Sequence, residues 1–295
     1  MSELIFWSVP AFLALLVIEV IASRGREVCG YEPKDTAASL SMGLGNVAIS
    51  VFSKVIAVAT FAWCYEHRVL SLGDTALAWI LIFPLEDFCY YWFHRMHHEV
   101  RFLWAAHENH HSSQHYNLST ALRQSWTTPF TGIVFWTPLA FLGFTPAMIL
   151  TAQAVSLVYQ FWIHTELIDR LGPFEWLFNT PSHHRVHHGR NVEYLDRNHG
   201  GILIVWDRLF GTFEAERAPV DYGLTKNIDT FNPVRIAFHE FASIARDVRG
   251  AGSFGEAVGY VLRPPGWSPD GSSLTADQLR AVRAASPGGQ SLSGR

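Results

Sequence analysis

With 295 residues, 49% of them hydrophobic, 14% aromatic and only 16% charged, the chain has room for one large or two small domains. This composition leans away from a soluble enzyme and toward a membrane protein. The formal net charge of −4, without any basic block, argues against nucleic acid as a partner. Cys29, Cys64 and Cys89 are scattered, odd in number and form no CxxC pair, so neither a disulfide framework nor a thiolate metal site follows.

The N-terminus carries Glu3 rather than a basic region, and no small-residue cleavage site follows. Residues 4–22, almost wholly apolar, therefore read as a retained first span with Glu19 at the interface. A loop holding Arg24, Arg26 and Lys34 leads to a second apolar run over 37–63, interrupted by Lys54, which must face protein or snorkel. A third run over 75–93 passes straight into the first histidines. Two more, 126–144 and 146–163, are separated only by Gly143-Phe144-Thr145-Pro146 and read as a helical hairpin. Arg24, Arg26, Lys34, Arg95, Arg101 and Arg123 then fall on one side, which the positive-inside rule makes cytoplasmic. The rival, core helices of a soluble bundle, is disfavoured by four or five runs near span length.

Thr180-Pro181-Ser182 is a helix start and Gly189 a stop. Residues 200–213 suit either a short strand or a buried interfacial segment. The Pro-, Gly- and Ser-rich stretch from about Arg263 reads as a flexible tail. The expected fold is an all-α integral membrane protein, four to five membrane-spanning or hairpin helices with a cytoplasmic histidine-rich cap. Its parts are N-terminal membrane helices (1–79), a histidine-box catalytic domain (80–213) containing the hairpin 126–163, a cytoplasmic C-terminal segment (214–262) and the tail (263–295).

The cap rests on spacing. The boxes are His94-x3-His98, His107-x2-His110-His111 and His184-x2-His187-His188. On a helix, residues three and four apart share a face, so each box can aim two or three imidazoles at one point. Imidazole suits iron, zinc and copper. Single histidines are usually ordinary surface or core residues, but eight of fifteen in three boxes of one offset are not explained that way. Eight ligands exceed one tetrahedral zinc site, so the economical expectation is a dinuclear centre. His164 returns to the same side and makes a ninth ligand. His97 and His183 point about 100° away from their neighbours, and His67 and His239 read as ordinary.

Two carboxylates are candidates for catalytic roles. Asp87, with Glu86, lies inside the third apolar run, where ionisable groups are rare. At about 10.5 Å along a helix from His94, Asp87 is placed to orient a histidine of another box, against a structural pairing with Lys54. Glu99 follows His98 and reads as an acceptor behind a ligand, a ligand itself, or a solvated helix-end carboxylate. Paired iron in such a site can bind O2 and attack an unactivated C–H bond. Zinc satisfies the same ligands without redox chemistry, so spacing leaves the metal open. Trp92, Phe93, Trp104, Phe161 and Trp162 could shape a dry tunnel for a lipid chain or form an interfacial belt.

The runs EDFCYYWFHRMHHE, HENHH, SHHRVHHGRN and NHGGILIVWDRLFGTF resemble the fatty acid hydroxylase/sterol desaturase superfamily of membrane di-iron oxygenases, over roughly 80–213. Within it, HHSSQHYNLSTALRQS, YQFWIHTE, NTPSHHRVHHGRN and GTFEAE are similar to the alkylglycerol monooxygenase family. The resemblance implies two iron ions on the eight box histidines, Glu99 at a family acidic position, O2, a lipid from the bilayer, and tetrahydrobiopterin as external reductant. The implied reaction hydroxylates the carbon beside an ether oxygen, and the hemiacetal collapses to fatty aldehyde and glycerol. Two departures stand out: His97 replaces a small residue and His199 a usual tyrosine, each able to add a ligand or alter its surroundings. The further C-terminal spans of the animal enzymes and a fused cytochrome b5-type segment are both missing, so electrons are expected from an external donor. The alternatives are a sterol or fatty-acid hydroxylase or desaturase of the same superfamily, a membrane metal-binding or transport protein, and a zinc-dependent hydrolase with Glu99 as base.

Overall fold

The computed structural model describes residues 2–26, 28 and 30–285; Cys29 and residues 286–295 of the expected tail lie outside them. Among the described residues all regular elements are helical, and strand-like pairing is confined to the isolated bridges Phe178–Leu203 and Gly189–Tyr222. Residues 200–213 are thus no strand; they pass into a short helix.

The chain opens with α1 (Ser2–Ala22) and the 34-residue α2 (Pro33–Glu66). The start of α2 is fixed locally, since the Glu32 carboxylate accepts from Asp35 N at 2.5 Å and Pro33 supplies a preset first turn. Next comes α3 (Ala76–Glu99), capped by Thr75 Oγ1 accepting from Ala78 N at 3.2 Å. Of the four to five spans expected, two among the described residues, α2 and α3, are long and apolar enough to cross a membrane; the apolar parts Trp7–Ala22 and Thr128–Leu142 are shorter.

The first arm expected over 126–144 is not a single helix. After α4 (Arg101–Ala105) and α5 (Glu108–His111), it breaks into α6 (Thr128–Thr131), a 3-10 turn (Ile133–Trp136) and α7 (Thr137–Leu142). Pro129 and Pro138 stand in the opening turns of α6 and α7, where their missing N–H is harmless; mid-helix each would remove a hydrogen bond. Gly143 ends α7 with φ 107°, and a Cβ there would meet Leu70 O at 2.3 Å. Thr145 then caps α8 (Pro146–Trp162). Phe61, Ile82, Trp136, Leu139, Phe144, Met148 and Ile149 make the core between α2, α3, α7 and α8. Outward, Leu44, Val47, Val51, Phe52 and Val55 of α2 are each more than 60% exposed.

The remainder comprises α9 (Pro181–His188), α10 (Val205–Phe210), α11 (Pro233–Gly250), α12 (Phe254–Leu262) and α13 (Ala276–Ala285). Helix α13 lies within the stretch expected as a tail, where Arg280 donates to Leu195 O at 2.6 Å. Two of the basic residues assigned to topology are buried in ion pairs. Arg101 meets Glu240 and Asp247 at 2.7 Å each, and Arg123 meets Asp35. Glu19 is buried rather than interfacial: it accepts from Leu118 N at 2.7 Å, Thr165 Oγ1 and the Tyr31 hydroxyl, tying α1 to the loops after α5 and α8.

Candidate metal centre

His94 and His98 lie one turn apart at the end of α3. His107 immediately precedes α5, which carries His110 and His111, and α9 carries the third box. His164 follows α8. These nine residues, all buried, gather into two groups whose ring nitrogens lie within 4.8 Å of one another. His94, His98, His107, His111 and His187 form one; His110, His164, His184 and His188 form the other. The groups interleave, because the neighbours His110 and His111 serve different ones, as do His187 and His188.

Tautomers follow from the far nitrogens. A carbonyl can only accept, so Nδ1 carries the proton in His94 (to His199 O, 2.8 Å), His187 (to Arg197 O, 2.9 Å), His110 (to Arg123 O, 3.2 Å) and His164 (to Gln160 O, 2.8 Å). The Nε2 lone pairs of His110 and His164 consequently face each other at 3.2 Å. That contact is repulsive unless a cation lies between them. Nitrogens that share one ion at about 2.1 Å each necessarily lie within about 4 Å of one another, as these do. Nε2 of His98, His187 and His188 is also buried without any hydrogen-bond partner. Burial first, then in most cases neighbouring imidazoles, holds the pKa values of His107, His111, His164, His184, His187 and His188 well below the usual histidine range; burial lowers His110 to about 4. Neutral rings with free lone pairs are what a metal site requires, and the donor set fits one.

A family model described as fatty acid hydroxylase matches residues 79–212, which contain both groups. The chain carries a fatty acid hydroxylase domain. Alkylglycerol monooxygenase of Homo sapiens is 43% identical over 265 residues, covering 88% of this chain and 59% of that protein. The Caenorhabditis elegans protein of the same name is 37% identical, covering 82% and 51%. An ornithine lipid hydroxylase of Rhizobium tropici is 31% identical, covering 59% and 54%. The chain thus spans little more than half the length of these relatives. No solved structure matches it significantly.

Around the hydroxylase domain's histidines runs a strap of loop, residues 196–199. Asp196 Oδ1 lies 3.4 Å from His98 Nδ1, and the carbonyls of Arg197 and His199 hold His187 and His94. Asp196 (φ 52°) and Asn198 (φ 56°) are left-handed, a conformation that Asp and Asn tolerate best after glycine. Asn198 anchors the strap by donating to His183 O (3.0 Å) and Glu214 O (2.7 Å). The fully buried Asp207 accepts from His199 N, Gly200 N and Thr212 Oγ1, all at 2.7 Å.

The two carboxylates expected to be catalytic have other partners. Asp87 hydrogen-bonds no imidazole; it accepts from Ile202 N (2.7 Å), Leu203 N (3.0 Å) and Trp206 Nε1 (2.9 Å). It therefore acts on the histidines only through the loop that continues the strap. Glu99, turned off the His94–His98 face, accepts from Arg95 Nε at 2.8 Å and belongs to neither group. His97 bonds Phe93 O (2.7 Å) and Thr131 Oγ1 (2.9 Å), and His183 faces Glu175 at 4.0 Å, so both stand outside the groups. His199 packs its ring 5.1 Å from that of His98 and 5.8 Å from those of His94 and His187, outside the five-histidine group. Ligand spacing does not single out Asp196, Asn198 or Asp207. The available signal is the cluster of small and polar residues in DRNHGG, 196–201, and the lone Asp207 in the apolar run that follows.

Proposed function

We propose that the chain is a membrane di-iron monooxygenase that uses O2 to hydroxylate a lipid C–H bond. The favoured substrate is an ether lipid of the alkylglycerol type, cleaved to a fatty aldehyde. The observation that carries this reading is the pair of interleaved groups of neutral imidazoles, five and four strong, in a fatty acid hydroxylase domain. His94, His98, His107, His111 and His187 would hold one ion, and His110, His164, His184 and His188 the other. Iron is preferred because relatives are named monooxygenase and hydroxylase, and zinc performs no redox chemistry. Bound as a pair, the ions supply O2 activation. The protein's share is to keep each ring's tautomer fixed through the strap and to keep water away by burial. Glu99 and Asp87, proposed from sequence for catalysis, are reassigned to surface pairing and loop support.

The apolar outer faces of α1 and α2 would lie in the bilayer, with α3 and the hairpin segments completing four to five crossings. The histidines, at the end of α3, then sit at the cytoplasmic membrane edge. A groove of about 240 Å³ on that side, lined by Phe61, Phe93, Ile133, Trp136 and Leu150 together with Lys54, Gln124 and Gln153, is the candidate seat for part of an alkyl chain. A transport role is disfavoured because the carboxylates within α3 are engaged, Glu86 by Trp136 Nε1 (3.0 Å) and Asp87 by the loop, and line no path.

The test is metal analysis joined to a product assay. Protein loaded with ferrous iron should hold two ions per chain. It should also release fatty aldehyde from an alkylglycerol when O2 and tetrahydrobiopterin, the expected external donor, are both supplied. Lipid turnover that proceeds without O2, or protein that binds no metal, sinks the proposal.

A further inference from the structure

The fatty acid hydroxylase match stops at residue 212, and the chain beyond it contributes none of the nine clustered imidazoles. What it contributes is a roof. Residues 223–228, α11, α12 and residues 265–279 enclose a cavity of about 480 Å³ whose floor is His98, His111, His187 and His188. An occupant would thus touch both histidine groups. The volume is that of a small-molecule site. Arg101 fastens the roof to the box region: its N–H donates to Arg263 O at 3.1 Å, and its guanidinium reaches Glu240, Ser243 and Asp247.

The lining excludes an alkyl chain, because Glu108, Lys226, Arg246 and Asp247 all border the space. It offers flat faces as well, in Trp104, which packs on His98 and His111, and in Trp267. Glu108 is the telling residue. It is buried; Oε1 lies 3.4 Å from His239 Nε2, and Oε2 has no hydrogen-bond partner. A buried acceptor left without a partner is costly, and an N–H donor on an occupant of the chamber would supply one.

We infer that this chamber binds the water-soluble reductant of the reaction, a small flat heterocycle with an N–H edge on Glu108 and a face against Trp104 or Trp267. The inference rests on the proposed monooxygenase reading. The reduced heterocycle gives up two electrons and two protons. One oxygen atom of O2 enters the substrate C–H bond as hydroxyl, the other leaves as water, and the heterocycle departs oxidised. A cation held by Glu108, His239 and Glu240 is the rival occupant. It is disfavoured because Glu240 is already paired with Arg101 at 2.7 Å.

The experiment titrates the full-length, iron-loaded chain in lipid nanodiscs with tetrahydrobiopterin without oxygen, following tryptophan fluorescence, and counts metal in parallel. Wild type should bind saturably. Glu108→Gln and Trp267→Ala should each raise Kd about tenfold while keeping two ions, and His67→Ala should leave Kd unchanged. Should Glu108→Gln not fold, Trp267→Ala and Arg246→Ala decide. No binding by wild type, an unchanged Kd in the variants, or a third ion that Glu108→Gln removes would each overturn the inference. Absence of metal or of O2-dependent product would instead strike the monooxygenase reading, so the two failures are distinguishable.

Discussion

At the scale of single residues, the strap concentrates control of three imidazoles in four consecutive positions. Asp196 faces His98 Nδ1 directly. Asp196→Ala should weaken metal binding at the five-histidine group by about 10- to 100-fold, read by chelator competition, with the four-histidine group unaffected; an unchanged affinity would remove Asp196 from the site. His187→Ala and His110→Ala should each strip metal from their own group and abolish activity. His67, which only bonds Trp63 O on an exposed flank, should tolerate alanine with metal and activity intact. That the nine histidines cluster is legible in the sequence, because helical spacing puts the rings of each box on one face. Asp87 stands out as a charge in an apolar run, but its partners are N–H groups of a loop and of Trp206, which leave no mark on sequence pattern. Glu99, one position past His98, points about 100° away from it and pairs with Arg95, as the helix-end alternative has it.

At the scale of elements, the hairpin and the roof make the predictions. Gly143→Ala would place a Cβ 2.3 Å from Leu70 O and force φ 107° on a residue that resists it. Unfolding should become easier by at least about 1–2 kcal/mol, seen as a lower melting temperature. Replacing Arg101 with methionine leaves Glu240 without its partner. The loss should be about 3 kcal/mol, at the low end for a buried pair because Asp247 is partly exposed. Limited proteolysis should then cut α11 and α12 first; even protection across the chain would show that the roof is held by other contacts. Apolar runs located α2, α3 and α8 well. They overran at 126–144 because hydropathy ignores Pro129 and Pro138, which begin short helices instead of continuing one.

For the whole molecule, the histidines make acid the natural enemy of the metal-free fold. The His110 pKa is about 4 in the folded chain against about 6.5 when unfolded. As pH falls the unfolded state takes up protons first, so stability is full above about pH 6.5 and drains away toward pH 4. Chelator-treated protein should melt markedly lower at pH 5 than at pH 7.5, and a flat profile would mean that these rings are not buried and neutral. The C-terminal third was the least readable part, because α11 to α13 fold back over charged groups contributed by distant residues. The interleaving of the two groups has one more effect. His110–His111 and His187–His188 each yoke one ion site to the other through a single peptide unit, about 3.8 Å between Cα atoms. The backbone positions that carry the two sites are therefore held together by covalent bonds, and the side-chain torsions of these four rings set the remaining distance. A backbone shift at either pair would move one ring of each group together, even where the two groups lose metal independently.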